Sequence, residues 1–269
     1  MARAKLLSRR EYCTRSTIKR VEKTVVRQSR VGIAVAMLMT FSTVAACGSD
    51  SDQGSPASAA SEKRTAGAQD KPLSTADLGR AAITDADVDG YEVQRAQAAT
   101  FASRRTADPA ECAPVMHAVG GSSSFAATER IARFVFSKKH GPNAYMTLSS
   151  HSLGDAEQVI DALRTAAKRC KTFKDIQVDF AYDAVQVQSD PDYGDESVSL
   201  QLTQLASGSE DEKPVRVPYA VVAVRQGATV AMFTTFNLPS GPRGKKPAVV
   251  PEAIIRAQLN KLGKLTASK

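Results

Sequence analysis

The sequence has few of the residues on which many catalytic and sugar-binding sites depend. It contains no tryptophan, 6% aromatic residues and three histidines among 269 residues. The lack of tryptophan disfavours a carbohydrate site in which sugar rings stack on aromatic side chains. The histidines, His117, His140 and His151, show none of the short spacings that zinc ligands usually have. We therefore predict no metal site, and we expect His140 in a solvated turn.

The chain also lacks motifs that carry enzymatic chemistry. The glycine and serine run at 120–124 lacks the G-x-S-x-G pattern of a hydrolase nucleophile and is interpreted as a loop. Residues 194–197 place acids where a phosphate-binding loop has lysine. The acidic run at 190–196 departs from calcium-loop spacing, so we interpret it as a solvated turn before a strand. The sequence predicts no catalytic residues, no cofactor and no enzyme activity, and a hydrolase is the least favoured alternative.

The net charge of +8 comes from one end of the chain. The first 46 residues hold ten of the 36 basic residues and two of the 28 acidic ones, which leaves 26 of each sign in the remainder. A neutral remainder gives no electrostatic reason to bind a polyanion. We therefore expect no nucleic-acid partner, and the short basic clusters at 104–105 and 243–246 are interpreted as solvated loops.

The basic N-terminal segment leads into the pattern of a lipoprotein signal peptide. Residues 31–46 are mostly apolar, and they are fewer than the roughly 20 needed to span a bilayer. Val44-Ala45-Ala46-Cys47 then resembles a bacterial lipobox. We predict cleavage between Ala46 and Cys47 and acylation of Cys47, which would hold the protein on the extracytoplasmic face of a cell membrane. An uncleaved anchor helix is the alternative, and it gives the same location.

Three segments follow from this pattern. We predict a signal peptide at 1–46, a lipidated cysteine with a flexible tether at 47–72, and one domain at 73–269. From position 48 to about position 72 the chain has no large apolar residue, so it cannot bury enough surface to offset the entropy lost on ordering.

Apolar periodicity divides the domain into helices and strands. The strongest helical pattern runs from Asp155 to Cys170 with Asp155 and Gln158 as a capping pair, and another helix is predicted to begin at Pro251. Shorter helices are expected at 75–83 and 110–119. Strands are predicted near Tyr91 and at 129–137, 145–150, 176–180, 198–202, 216–225 and 229–236, with a hairpin turn at 226–227. This order favours an α+β fold with an antiparallel sheet of about six to seven strands and helices packed on it.

The four cysteines fall into three positional classes. Cys13 lies in the predicted signal peptide, and Cys47 is the predicted lipidation site. Cys112 and Cys170 remain in the domain, and an isolated pair outside the cytoplasm is expected to be oxidised. We therefore predict a structural Cys112–Cys170 disulfide. A redox-active pair is disfavoured because the sequence has no C-x-x-C motif.

Five short segments carry a family resemblance. They are Asp89-Gly90-Tyr91, Asp108–Pro114, Asp155-Ala156, Cys170-x-x-Phe173 and Tyr193–Ser197. Together they resemble the extracellular sensor-domain family of mycobacterial serine/threonine kinase H, which also occurs as free lipoproteins in actinobacteria. The resemblance implies an α+β domain with a groove for an extracellular ligand and one family disulfide at Cys112 and Cys170. It implies no catalytic residues, and a second disulfide of the kinase member is missing here.

We therefore expect a cell-surface lipoprotein that binds or senses a ligand in an apolar cleft between the sheet and the helix at 155–170. Its expected partners are the membrane, through Cys47, and an unidentified small molecule, lipid, cell-wall ligand or envelope protein. The alternative is an envelope interaction protein that docks another membrane protein. A broad exposed apolar patch without a pocket would favour that alternative.

Overall fold

The computed structural model describes residues 70–96, 105–206, 213–240, 244 and 246–267. In these residues nine strands form one antiparallel sheet in the order β1-β3-β4-β9-β8-β7-β6-β5-β2. The strands are β1 Tyr91–Ala96, β2 Ala107–Asp108, β3 Glu129–Ser137, β4 Ala144–Ser150, β5 Phe173–Asp175, β6 Phe180–Val187, β7 Glu196–Ala206, β8 Val215–Gln226 and β9 Thr229–Phe236. The helices are α1 Thr75–Ala81, α2 Ala113–Val119, α3 Leu153–Arg169 and α4 Glu252–Ala267.

The central strands bury side chains on both faces of the sheet. On β8, Val221 and Ala223 lie in a core with α2 and α3, while Val222 and Val224 lie in a second core with α1 and α4. Alternate residues of a strand point to opposite faces, so one apolar run supplies both cores. The described domain therefore has three layers. We call the two sides of the sheet the α3 face and the α4 face.

The two helical layers are offset along the sheet. In the described residues, the core on the α3 face draws on β2 and β5–β9. The core on the α4 face draws on β3, β4, β8 and β9. The two helical cores therefore do not extend over two areas: the α4 face of β5–β7, and the α3 face of β1, β3 and β4, where the turn after α2 contacts Thr147.

Helix α3 confirms the strongest helical pattern of the sequence but begins earlier than predicted. Its first residue is Leu153, and the Ser152 hydroxyl caps it by accepting a hydrogen bond from the Asp155 backbone N–H at 3.2 Å. Asp155 therefore lies in the first turn, where its negative charge is favourable, and is not the capping residue. The apolar side of α3, from Ala156 to Ala167, is buried as its spacing predicts.

The sheet has nine strands where six to seven were predicted, because the sequence patterns did not locate β2, β5 and β6. The alternation at 176–180 was expected to be a half-buried strand, and this prediction is wrong. Residues 176–179 form the turn between β5 and β6, and Ile176 and Val178 are 50% and 44% exposed. Asp179 adopts the left-handed conformation within that turn. Strand β2 has only two residues, which is too few to show any periodicity.

The predicted disulfide between Cys112 and Cys170 is present. The two Cα atoms lie 5.3 Å apart, and both cysteines are buried. The bond joins the segment before α2 to the end of α3, so it ties together the two helices of the α3 face.

Residues 1–69 lie outside the described residues. The predicted signal peptide, the cleavage site at Ala46 and Cys47, and nearly all of the predicted tether belong to that segment. In the part of the chain that the structure describes, no helix is long and apolar enough to cross a membrane.

Candidate functional site

A segment before α4 crosses the part of the α4 face that no described helix covers. We call this segment, Lys246–Pro251, the strap. The Gln201 side-chain amide donates to the Ala248 carbonyl at 3.3 Å. The Asn237 amide donates to the carbonyls of Lys246 and Pro247 at 3.0 and 3.2 Å. Side chains of the sheet and of the residue after β9 therefore hold the strap by its backbone.

Two cavities lie beside the strap, with volumes of about 290 Å³ and about 210 Å³. We call them together the strap groove. Gln201 and Ala248 line both cavities, so they lie where the two adjoin. The larger one is lined by Pro191, Tyr193, Ser199, Gln201, Ala220, Val222, Ala248, Val249, Val250, Pro251, Glu252 and Ile255. Most of these side chains are apolar, and a few polar groups converge among them, which is typical of a small-molecule site.

Tyr193 gives the larger cavity an aromatic wall with a neutral hydroxyl. Burial, followed by the charge of the nearby Glu252 carboxylate, raises the pKa of Tyr193, so its phenol stays protonated at neutral pH. The Arg256 guanidinium lies 5.6 Å from the centre of the Tyr193 ring. This cation–π contact holds the ring from the side of α4.

The loop that carries Tyr193 depends on a glycine and a buried arginine. Gly194 has φ of +63°, and a Cβ atom there would lie 2.4 Å from the Arg225 carbonyl oxygen. The Arg225 guanidinium contacts Asp195 at 3.2 Å and Glu196 at 3.3 Å, and the Asp195 carboxylate also accepts from the Gly227 N–H at 2.7 Å. These acids therefore hold the loop against the β8–β9 hairpin.

The remaining acids of the 190–196 run also have a structural place. The Ser197 hydroxyl donates to the Asp190 carboxylate at 2.6 Å and lowers the pKa of that carboxyl. The Asp192 N–H donates to the same carboxylate at 3.1 Å. The run is thus a turn before β7, as predicted. The described residues contain no group of three or more side chains placed to hold a metal ion.

Among the described residues, the cavity beside the helix at 155–170 is much smaller than the cleft that the sequence led us to expect there. The cavity that adjoins α3, lined in part by Val159, Leu163 and Met232, has a volume of about 10 Å³. That volume suits about one water molecule. The core on the α3 face fills this space, so the larger cavities lie across the sheet.

Two of the three histidines are buried, and one of them contacts the serine loop. The His117 Nδ1 lies 3.0 Å from the Ser124 hydroxyl, and its Nε2 lies 3.3 Å from the Arg105 carbonyl oxygen. Burial lowers the pKa of His117, so it is neutral at physiological pH. In this arrangement a backbone carbonyl occupies the position that a carboxylate has in a catalytic triad. His140 lies exposed in the β3–β4 turn, as expected.

Sequence reasoning missed the strap because no periodic pattern marks it. Asn237 and Gln201 hold it, and neither residue belongs to a recognisable motif. The sequence feature that could have indicated the strap is a proline-containing stretch between β9 and α4, which fits neither a helical nor a strand pattern.

Comparison with solved structures gives a distant likeness. No family model matches the chain, and no curated protein sequence matches it. A solved structure, the extracellular domain of PknH from Mycobacterium tuberculosis, superposes with a TM-score of 0.42 and 8% sequence identity. The match covers 74% of this chain and 99% of that domain. A TM-score below 0.5 does not establish a shared fold.

Proposed function

We propose that the protein is a non-catalytic binding module on the outer face of a cell membrane, which takes a small apolar or amphipathic molecule into the strap groove. The observation that carries this proposal is the cavity of about 290 Å³ on the α4 face. It lies near the lower end of the volumes typical of ligand pockets.

The lining of the larger cavity supports an apolar or amphipathic ligand. Ala220, Val222 and Ile255 provide buried apolar surface, while Ser199 and Gln201 are half-buried and offer hydrogen-bonding groups. An apolar group placed here would leave water at about 25 cal/mol for each Å² buried. The few polar groups would set the orientation of the ligand.

The chemistry of the lining supports binding without catalysis. None of the described residues that line either cavity is a histidine or a cysteine. The carboxylate of Glu252 accepts from the Arg256 guanidinium at 2.5 Å, so it is engaged in an ion pair. A nucleophile with an adjacent base, which covalent catalysis requires, is not found among these side chains.

The sequence supports placement of this module on a membrane. The apolar segment at 31–46 and the following Cys47 have the form of a lipoprotein signal. Two or more acyl chains on one cysteine would hold the module firmly without a transmembrane helix.

Native mass spectrometry of the protein purified from the cells that make it tests the proposal. We expect an adduct that organic extraction removes, and its mass would identify the ligand. Ser199→Trp should abolish the adduct because the larger side chain fills the cavity. Val187→Trp is the matched control, since Val187 lies on the neighbouring strand β6, is exposed and lines neither cavity.

A bare mass for the wild-type protein, or an adduct that persists in Ser199→Trp, would contradict the proposal.

A bare mass would instead favour an envelope protein that docks another membrane protein. One observation supports that second candidate: six exposed apolar side chains lie at one end of the sheet. They are Ile176, Val178, Phe180, Val215, Phe236 and Leu238.

A further inference from the structure

The α3 face of β3 carries a half-buried arginine without an acidic partner. Arg130 lies opposite Ser149 of β4, and its buried Nε has no hydrogen-bond partner in the described residues. None of the described carboxylates forms an ion pair with it. Partial burial of a guanidinium without a counter-charge is costly. An anion that binds Arg130 would remove this cost.

Other largely buried arginines of the domain do have acidic partners. The pairs are Arg105 with Asp175, Arg164 with Asp161, and Arg225 with Asp195 and Glu196. Arg133, also half-buried on β3, points to the opposite face and donates to the Ala132 carbonyl at 2.9 Å. Among the described arginines on the α3 face, Arg130 is therefore the one that is half-buried and forms no ion pair with a carboxylate.

The described groups that interact electrostatically with Arg130 include no carboxylate. Burial is the main cause that lowers the pKa of both His117 and His151, and the positive charge of Arg130 lowers each further. Both histidines are therefore neutral at physiological pH. Tyr145 also interacts electrostatically with the guanidinium.

Exposed aromatic side chains lie on the same face of the same strand. Phe134 is 42% exposed and Phe136 is 36% exposed. The Phe134 ring lies 5.2 Å from that of Tyr145 and 5.9 Å from that of Phe136. Arg130 and Phe134 are four residues apart on β3, which corresponds to about 13 Å along a strand. A cation thus lies at one end of an apolar aromatic surface.

We propose that this area of the α3 face, formed by Arg130, Phe134, Phe136 and Tyr145, binds an anionic amphiphile. We call it the Arg130 site. A carboxylate or phosphate pairs with the guanidinium, and an acyl or aryl group lies on the phenylalanine rings. The anion comes from a lipid headgroup of the membrane or from a soluble molecule. The Arg130 site lies on the opposite face of the sheet from the strap groove. A test of binding at Arg130 can therefore fail while the proposed function holds, and the reverse is also true.

Isothermal titration calorimetry of the full chain in phosphatidylcholine nanodiscs tests this inference, with octyl phosphate as the probe and empty nanodiscs as the blank. We expect octyl phosphate to bind. The affinity for inorganic phosphate should be lower by at least about tenfold, because inorganic phosphate has no apolar group to lie on the rings. Octyltrimethylammonium, which has the same chain and the opposite charge, should not bind.

Arg130→Met should weaken the binding of octyl phosphate by about tenfold, because the charge-assisted hydrogen bonds are lost. Arg133→Met is the matched control, since it removes an arginine from the opposite face of the same strand, and it should leave the affinity unchanged. Phe134→Ser, at an exposed position, gives a second variant if Arg130→Met does not fold. It should weaken octyl phosphate but not inorganic phosphate.

Replacing part of the phosphatidylcholine with phosphatidylglycerol separates the two sources of the anion. Weaker binding of octyl phosphate in those nanodiscs assigns the site to lipid headgroups, and unchanged binding assigns it to a soluble anion. Failure of octyl phosphate to bind the wild-type protein overturns the inference. An equal loss in Arg130→Met and Arg133→Met also overturns it.

Discussion

Buried polar side chains of this domain join loops and helices to their neighbours. Gln258 of α4 is fully buried, donates to the Ala81 carbonyl at 2.8 Å and accepts from the Ile83 N–H at 3.0 Å. His151 lies 3.1 Å from the Ala126 carbonyl oxygen and 2.9 Å from a serine hydroxyl of β4. Each contact satisfies groups whose burial without a partner would be costly. The polar interior therefore fixes the ends of helices and loops.

The two buried histidines predict that stability falls in mild acid. Burial is the main cause that lowers the pKa of His117 and His151 below the ordinary value of 6.5. Between the lowered pKa and 6.5 the unfolded chain binds protons that the folded protein does not, so acid favours unfolding. Above 6.5 both states are neutral and the effect vanishes. The slope is at most about 1.4 kcal/mol per pH unit for each histidine.

Urea denaturation at several pH values between 5 and 7.5 measures this dependence. The free energy of unfolding should decrease as the pH falls below about 6.5. His117→Gln should reduce the slope, whereas the matched substitution His140→Gln, at an exposed turn, should not change it. An identical slope in the wild-type protein and His117→Gln would show that His117 does not contribute.

At the scale of elements, the disulfide joins the two helices that cover the α3 face. The cysteines are 58 residues apart, and closure of a loop of that length stabilises a fold by about 4 kcal/mol in the chain-entropy model. The double variant Cys112→Ala/Cys170→Ala should therefore lose about 4 kcal/mol of unfolding free energy. Urea denaturation monitored by circular dichroism measures the loss.

The reduced wild-type protein is the control for the double variant. It contains both cysteines, and it should unfold at about the same urea concentration as the variant. If reduction leaves the unfolding midpoint of the wild-type protein unchanged, the bond does not stabilise the domain as proposed.

The predictability of the elements followed their length. Helices α3 and α4 and strands β3, β7, β8 and β9 each contain eight or more residues, and apolar periodicity located them. Strand β6 is the exception: it also has eight residues, but a register shift between Asp183 and Gln186 interrupts its alternation. Strands β2 and β5 contain two and three residues, and a tertiary partner, not a local pattern, defines them. The alternation at 176–180 was misleading because the chain reverses there.

At the scale of the whole molecule, the offset between the helical layers produces both proposed sites. The α4 face of β7, without a helical cover, carries the strap groove. The α3 face of β3, also without one, carries Arg130 and the exposed phenylalanines. Because the sheet separates the two areas, both can be occupied at the same time.

The attachment of this domain to a membrane gives a prediction for the whole chain. Cys47→Ser should abolish both the incorporation of lipid and the cleavage after Ala46, because the variant lacks the thiol that receives the lipid before cleavage. Fractionation and metabolic labelling with palmitate would measure this. Cys13→Ser is the matched control, since it removes a cysteine from the segment predicted to be cleaved. A wild-type protein that takes up no palmitate and keeps residues 1–46 would favour the uncleaved anchor helix.

The sequence by itself determined the features that depend on local pattern and on elimination. These include the α+β class, the long helix, the β8–β9 hairpin and the pairing of Cys112 with Cys170, which the structure confirms. Only the tertiary structure decided where the helices pack on the sheet. That choice depends on contacts between residues far apart in the chain, such as Gln201 with Ala248. It therefore also decided the position of the cavities and left Arg130 without an acidic partner among the described residues, which no local pattern encodes.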